Sequence, residues 1–570
     1  MNPGLEFPRR LVAPNDLLQD WPSIEPYFDR LRDRRIDTTD DLERWLLDYS
    51  ELAAAIAEVG TDRHVRMTCQ TDDPKCKAAF LDFIENIDPH CKLRCHELNV
   101  KYAESAASRQ LPRDRYFVLD RSVRAGVELF REENVPLQTE EAKLEQQYQE
   151  VAGAQTVQFD GREQTLQQLA LYAERTDRSL RHAAWEAEAA RRLQDVDRLE
   201  DIFDQLIRLR HQIALNAACS DYREYAFKAK QRFDYTPQDC LAFHDAVAEA
   251  AVPVMRDIQR RRLADLGVNP LRPWDLAVDV KGRPPLRPFQ TAAELCDKAS
   301  RAFHRVDPVL GAEFDQLRRG RHLDLESRKG KAPWGYQATY DEARHPFIFM
   351  NAVGLQRDVS TLIHEGGHAF HSQAARHDPL LAYRGSPIEF AEVASMGMEL
   401  LALDFLDEFY LPEDLARAKR LELEGIISLF PWVATIDAFQ HWLYANPHHS
   451  RDERRKHWLA LHHRFGGIAD YSGYENAIAY RWQKQLHLFE VPFYYVEYAI
   501  AQLGALQVWR NARQDLSQAV ARYRQALALG GSRRLPELFQ AAGATFDFSA
   551  GTLGPLIDLV RRELQALPAQ

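Results

Sequence analysis

Residues 355–377 read LQRDVSTLIHEGGHAFHSQAARH, and within them His364, Glu365, Gly366, Gly367 and His368 form a His-Glu-x-x-His pattern. On a helix, residues four apart share one face, ~6 Å apart along the axis. Two imidazoles placed there can grip one ion at ~2.0–2.1 Å. Glu365 lies beside them, where its carboxylate can take a proton from a water that zinc has acidified toward a pKa of ~7. The chemistry on offer is hydrolysis. The plain alternative is an amphipathic helix with two ordinary histidines. Two adjacent glycines count against it, because each costs ~1 kcal/mol relative to Ala in a helix interior. A helix that keeps both needs a close backbone neighbour.

A catalytic zinc takes three protein ligands and keeps one position open. His371 would lie ~7.5 Å beyond the ion along the helix axis, too far to join easily. The ten-residue spacing of another zinc-protease class falls on Ala374, so that class fails. What remains is a carboxylate from a following helix. The segment SPIEFAEVASMGMELLALDFL offers Glu389, Glu392 and Glu399 beside Phe390, Val393 and Ala394. Physical chemistry alone leaves these three open.

Such groups need rigid elements, and most of this chain has helical period. Leu180, Ala184, Ala187, Val196, Phe203 and Leu206 recur at threes, fours or their multiples from Leu180 to Ile213. Before them, Val157 and Phe159 alternate with polar residues, and Asp160-Gly161 suits a tight turn, so a small hairpin is expected near 157–164. Thr165 opens Thr-x-x-Gln, a helix start, so the hairpin is expected to feed a long helix. The Pro-rich stretch 270–288 reads as a surface connection with a short strand at Leu276–Val280. Tyr336–Tyr340 and Phe347–Met350 read as two short strands, with Pro346 at the start of the second. After Asn351 the chain reads as helices and loops. Cys91 and Cys95, flanked by His90 and His96, have the spacing of packed thiols on a helix rather than of a zinc knuckle.

The chain has 570 residues, 45 % of them hydrophobic, and a formal net charge of −12. Such a chain can bury a core and is not mainly disordered. It is too long for one ordinary core, so at least two lobes are expected. The acidic balance argues against nucleic acid as the main partner. No apolar run approaches the ~18 residues of a membrane span. Seven cysteines, sparse and odd in number, and a first segment without a signal-like apolar run read as a cytoplasmic protein with free thiols.

The run PFIFMNAVGLQRDVSTLIHEGGHAFH resembles the oligoendopeptidase F and thimet oligopeptidase family of zinc metallopeptidases, and FAEVASMGMEL looks like its third-ligand segment. There the glutamate follows the first histidine by a little under thirty residues, which selects Glu392, 28 residues after His364 (392 − 364). Glu399, one heptad on, becomes a partner for a ligand histidine. LHLFEVPFYYVEYAIAQLGALQVW is similar to the family's His- and Tyr-rich segment. RKGKAPWGYQATY, TVQFDGREQTLQQL and ALALGGSRRLPELFQAAG also resemble its members, so the likeness runs from about residue 150 onward.

The resemblance implies a mainly α fold, a two-lobed helical ellipsoid with a deep central channel and a small β-sheet near the zinc helix. Residues 1–200 would form an N-terminal lobe walling the channel, and 201–570 the catalytic region. One zinc ion would sit on His364, His368 and Glu392, with Glu365 as general base and proton donor to the leaving amine. His487, Tyr494 and Tyr498 are candidates for stabilising the oxyanion, since they donate without adding a fixed charge. Tyr494 and Tyr498, four apart, would share a helix face, with Tyr495 pointing elsewhere. One of the two expected strands would bind an extended substrate through its main chain. The activity implied is an endopeptidase for short, unstructured peptides. A zinc carboxypeptidase of similar architecture is the second reading, and a non-catalytic zinc-containing peptide-binding protein the third.

Overall fold

A computed structural model describes residues 7–568 apart from 329, 333 and 334, so part of the segment RKGKAPWGYQATY lies outside the described residues. Helices dominate. Those that matter below are, in chain order, α1 (Arg178–Leu193), α2 (Val196–Asn216), α3 (Pro237–Leu266), α4 (Ala292–Val306), α5 (Gln356–Ala375), α6 (Ile388–Ala402), α7 (Pro412–Ala445), α8 (Leu486–Glu490), α9 (Val496–Ala512) and α10 (Leu516–Leu527). Among the described residues, no helix is long and apolar enough to cross a membrane.

The chain forms two compact units, each assembled from three separate stretches. The first comprises 1–128, 287–411 and 504–546; the second comprises 129–286, 412–503 and 547–570. Residue 200, the expected boundary, falls inside the second unit and inside α2.

In the first unit, a cluster including Leu11, Leu42, Trp45, Leu98 and Tyr102 packs the N-terminal helices and reaches Tyr383. Cys91 and Cys95 lie on the helix Asp88–Glu104 as free thiols. A three-stranded sheet has the order β3 (Leu323–Glu326), β5 (His345–Ala352), β4 (Tyr336–Tyr340), numbered after the hairpin strands β1 (Thr156–Phe159) and β2 (Arg162–Thr165). Strand β4 runs antiparallel to β5, with Tyr336 opposite Phe349 and Thr339 opposite Pro346. Strand β3 is parallel to β5 and was not expected; the alternation of Leu323 and Leu325 is its signal.

In the second unit, β1 and β2 pair as expected, and Asp160 and Gly161 both take positive φ, as a tight hairpin turn requires. Thr165 and Gln168 cap the next turn reciprocally. That turn, however, covers only Leu166–Leu169. The long helix α1 starts at Arg178 under an Asp177 cap. The helical run expected from Leu180 to Ile213 is broken at Gln194-Asp195 between α1 and α2. No strand forms at Leu276–Val280. Carboxylates anchor that segment instead, Asp275 just before it to Arg178 and Arg181, and Asp279 within it to Arg283 and Arg417.

Candidate metal centre

Helix α5 is entered through a tight arrangement. The buried Asp358 carboxylate accepts from the amides of Val353 and Leu355 at 2.8 and 2.9 Å; the second is the N-cap donor that a helix start leaves without a partner, and the first pins the incoming loop. Val359, Leu362, Ile363 and Phe370 turn inward, and Phe370 meets Phe303 of α4 edge to face at 5.0 Å. Both glycines of the motif face close neighbours. A Cβ on Gly366 would stand 2.7 Å from the Phe303 ring, and one on Gly367 would stand 2.5 Å from the Ala394 carbonyl oxygen and 2.6 Å from Ser395 Cα on α6. The helix intolerance of glycine is thus offset by packing that only glycine permits.

That contact sets α6 against α5 with Glu392 facing the histidines. Glu392 Oε2 lies 3.4 Å from His364 Nε2 and 3.6 Å from His368 Nε2. One ligand atom from each of the three residues lies within 4.8 Å of the others. Two ligands ~2.1 Å from a common ion in a tetrahedron stand ~3.4 Å apart, so the three atoms fit one divalent ion. Glu389, on the same helix, and His371 are not in this group. His371 is buried, and burial pushes its imidazole down to about 4.

Partners hold Glu392 and His364 in place. Ser395 Oγ donates to Glu392 Oε2 at 2.8 Å, and Tyr523 of α10 donates its hydroxyl to the Ala394 carbonyl at 2.6 Å. Glu399 Oε1 lies 2.6 Å from His364 Nδ1. Burial alone would lower the His364 pKa, but Glu399, with Glu392 and Glu365 behind it, raises it to about 9. His368 is pushed well down by burial and then by the His364 charge. Burial raises Glu365 to about 7, against the opposing pull of His364 and a hydrogen bond from the Gln337 backbone of β4. A carboxylate so poised can hold a proton and release it near neutral pH. Ser395 and Tyr523 were not expected; the Glu-x-x-Ser spacing on α6 was the available sign of the first, and nothing local marks the second.

In the second unit, His487 of α8 and the segment leading into α9 form an aromatic group. The His487 ring lies 5.7 Å from Tyr494, 4.8 Å from Tyr495 and 6.0 Å from Tyr498, and Tyr494 lies 5.4 Å from Tyr498. The shared helix face expected for Tyr494 and Tyr498 does not exist. Phe493 takes φ +64° and α9 begins only at Val496. The tyrosines meet because the chain turns there, and Tyr495 joins them. His487 Nδ1 is 2.7 Å from Gln485 Nε2, and burial, then Lys230, pushes the imidazole down to about 4.

The model of peptidase family M3 matches residues 171–554. Over 344 residues the chain is 23 % identical to an oligoendopeptidase F homolog of Lactococcus lactis subsp. lactis, covering 57 % of this chain and 54 % of that protein. It is 24 % identical over 296 residues to an oligoendopeptidase F homolog of Borreliella burgdorferi, covering 50 % and 48 %. The chain thus spans about half the length of the curated relatives it matches. The solved structure of PZ peptidase A with inhibitor 2 superposes with a TM-score of 0.88 at 25 % identity over 98 % of this chain and 99 % of that one.

Proposed function

The chain belongs to peptidase family M3, and on that premise we propose that it is a zinc-dependent endopeptidase acting on short, unstructured peptides. The observation that carries this reading is the convergence of His364, His368 and Glu392 on one point beside Glu365. When bound there, zinc would acidify a water and polarise the scissile carbonyl. Glu365 takes the proton of the attacking water and returns it to the leaving amine. His487, Tyr494 and Tyr498 are proposed to donate to the oxyanion. The neutral state of His487 suits this, because its N–H donates without a full charge.

Strand β5 is paired on both sides, so among the described residues, of the two strands expected to bind substrate only β4 has an edge with no strand beside it. We assign the extended peptide to β4, whose Thr339 reaches Ser372 of α5 at 3.1 Å. The test is a panel of peptides of graded length, each supplied both blocked at its two ends and with its C-terminus free, incubated with zinc-loaded protein and mapped by mass. Internal cuts with a length ceiling are expected. Cleavage only of peptides with a free C-terminus would identify a carboxypeptidase, and no cleavage at all a zinc-containing peptide-binding protein.

A further inference from the structure

Helices α3 and α7 of the second unit each carry two metal-type donors one turn apart, Cys240 and His244 on α3, Asp437 and His441 on α7. All four are buried. One ligand atom each from Cys240, Asp437 and His441 lies within 4.8 Å of the other two. His441 Nε2 is 3.4 Å from Asp437 Oδ2, the ~3.4 Å edge expected between two ligands of a tetrahedral ion. His244 Nε2 is 2.8 Å from the same oxygen.

Among the described residues, three enclosed polar atoms here make no well-formed hydrogen bond: Asp437 Oδ1, His441 Nδ1 and His441 Nε2, the last having only its 3.4 Å approach to Asp437 Oδ2. Among the described residues, the ion pairs of Asp437 are to histidines alone, with no Lys or Arg. A buried carboxylate without a cation is costly, by several kcal/mol in real proteins. The surroundings are apolar, with Phe493 and Phe227 at 5.2 and 6.2 Å from the His441 ring.

We propose that Cys240, Asp437 and His441 hold a second divalent ion of the zinc type, with His244 positioning the Asp437 carboxylate. Thiolate, imidazole and carboxylate form a donor set suited to zinc, and the ion supplies the cation that Asp437 lacks. Binding converts the Cys240 thiol to a thiolate and releases its proton to solvent. The ion would tie α3 to α7, and since packing encloses the four residues, it enters as the unit folds. His244, hydrogen-bonded to Asp437 Oδ2, fixes the orientation of that carboxylate.

Sulfur separates this site from the His364 centre, which has none. The protein is produced in zinc-depleted, cobalt-supplemented medium, its ions are counted by elemental analysis, and its near-ultraviolet spectrum is recorded. Two cobalt ions per chain and a thiolate-to-cobalt charge-transfer band are expected. His368→Ala keeps the band while losing one ion; Cys240→Ser loses the band. Absence of the band from the parent protein overturns the proposal whatever the ion count, and so does its persistence in soluble Cys240→Ser.

Discussion

His364 Nδ1 stands 2.6 Å from Glu399 Oε1. A carboxylate can only accept, so Nδ1 keeps its proton and Nε2 is turned toward Glu392 as the atom that meets an ion. Glu399→Ala is expected to weaken zinc binding at this centre by about 10–100-fold, measured by competition with a chromophoric chelator. Unchanged affinity would reduce Glu399 to a bystander.

Glu392→Ala removes the carboxylate that faces both histidines. It is expected to lose one ion per chain relative to the parent after dialysis. A metal content equal to the parent's would move the ligand role to Glu389 or Glu399.

The Glu399 contact also sets a pH dependence. In the ion-free protein His364 titrates at about 9, above its ordinary 6.5. Below pH 9 an ion must displace that proton, so zinc affinity should rise about tenfold per pH unit and flatten above it. Stability runs the other way. A raised pKa stabilises the ion-free fold fully below the ordinary value, and this is lost as pH climbs through 9. Thermal unfolding of chelated protein between pH 6 and 9 should show a falling Tm, with a shallower slope in Glu399→Gln.

Glu365→Gln keeps the shape of the side chain and removes its basicity. The variant should bind zinc like the parent and turn over blocked peptides about 10²–10⁴-fold more slowly. Parent-like turnover would hand the proton transfer to another group.

Helices α5 and α6 touch through glycine. Gly367→Ala sets a methyl against backbone that cannot give way, and should cost about 1–3 kcal/mol with a fall in zinc affinity. Gly425→Ala, on the exposed side of α7 where a Cβ meets nothing within 4 Å, should instead gain up to ~1 kcal/mol. Chemical denaturation of both variants checks the sign of each.

The pairing of His364 with His368 was legible because two side chains four apart on one helix share a face, which is a local property. The same holds for the Asp160-Gly161 turn and for the close neighbour that Gly366 and Gly367 demanded. That Glu392 rather than Glu389 joins the two histidines was not legible locally, since the side chains that face α5 depend on how α6 is rotated. The grouping of Tyr494 with Tyr498 was expected for the wrong reason: the positive φ of Phe493 leaves no mark in periodicity. The Tyr523 contact and strand β3 depend on residues distant in the chain, which no local pattern announces.

The interleaving of the first unit has a consequence during synthesis. The hydroxyl that holds the Ala394 carbonyl belongs to a residue 129 positions later. At ~5–20 residues per second, a ribosome delivers it roughly 6–26 s after Ala394 itself. For most of that interval helices α5 and α6 stand without the stretch 504–546 of their own unit. A nascent chain stalled there is a target for chaperones and proteases, so cells short of either should accumulate aggregated fragments ending before residue 504.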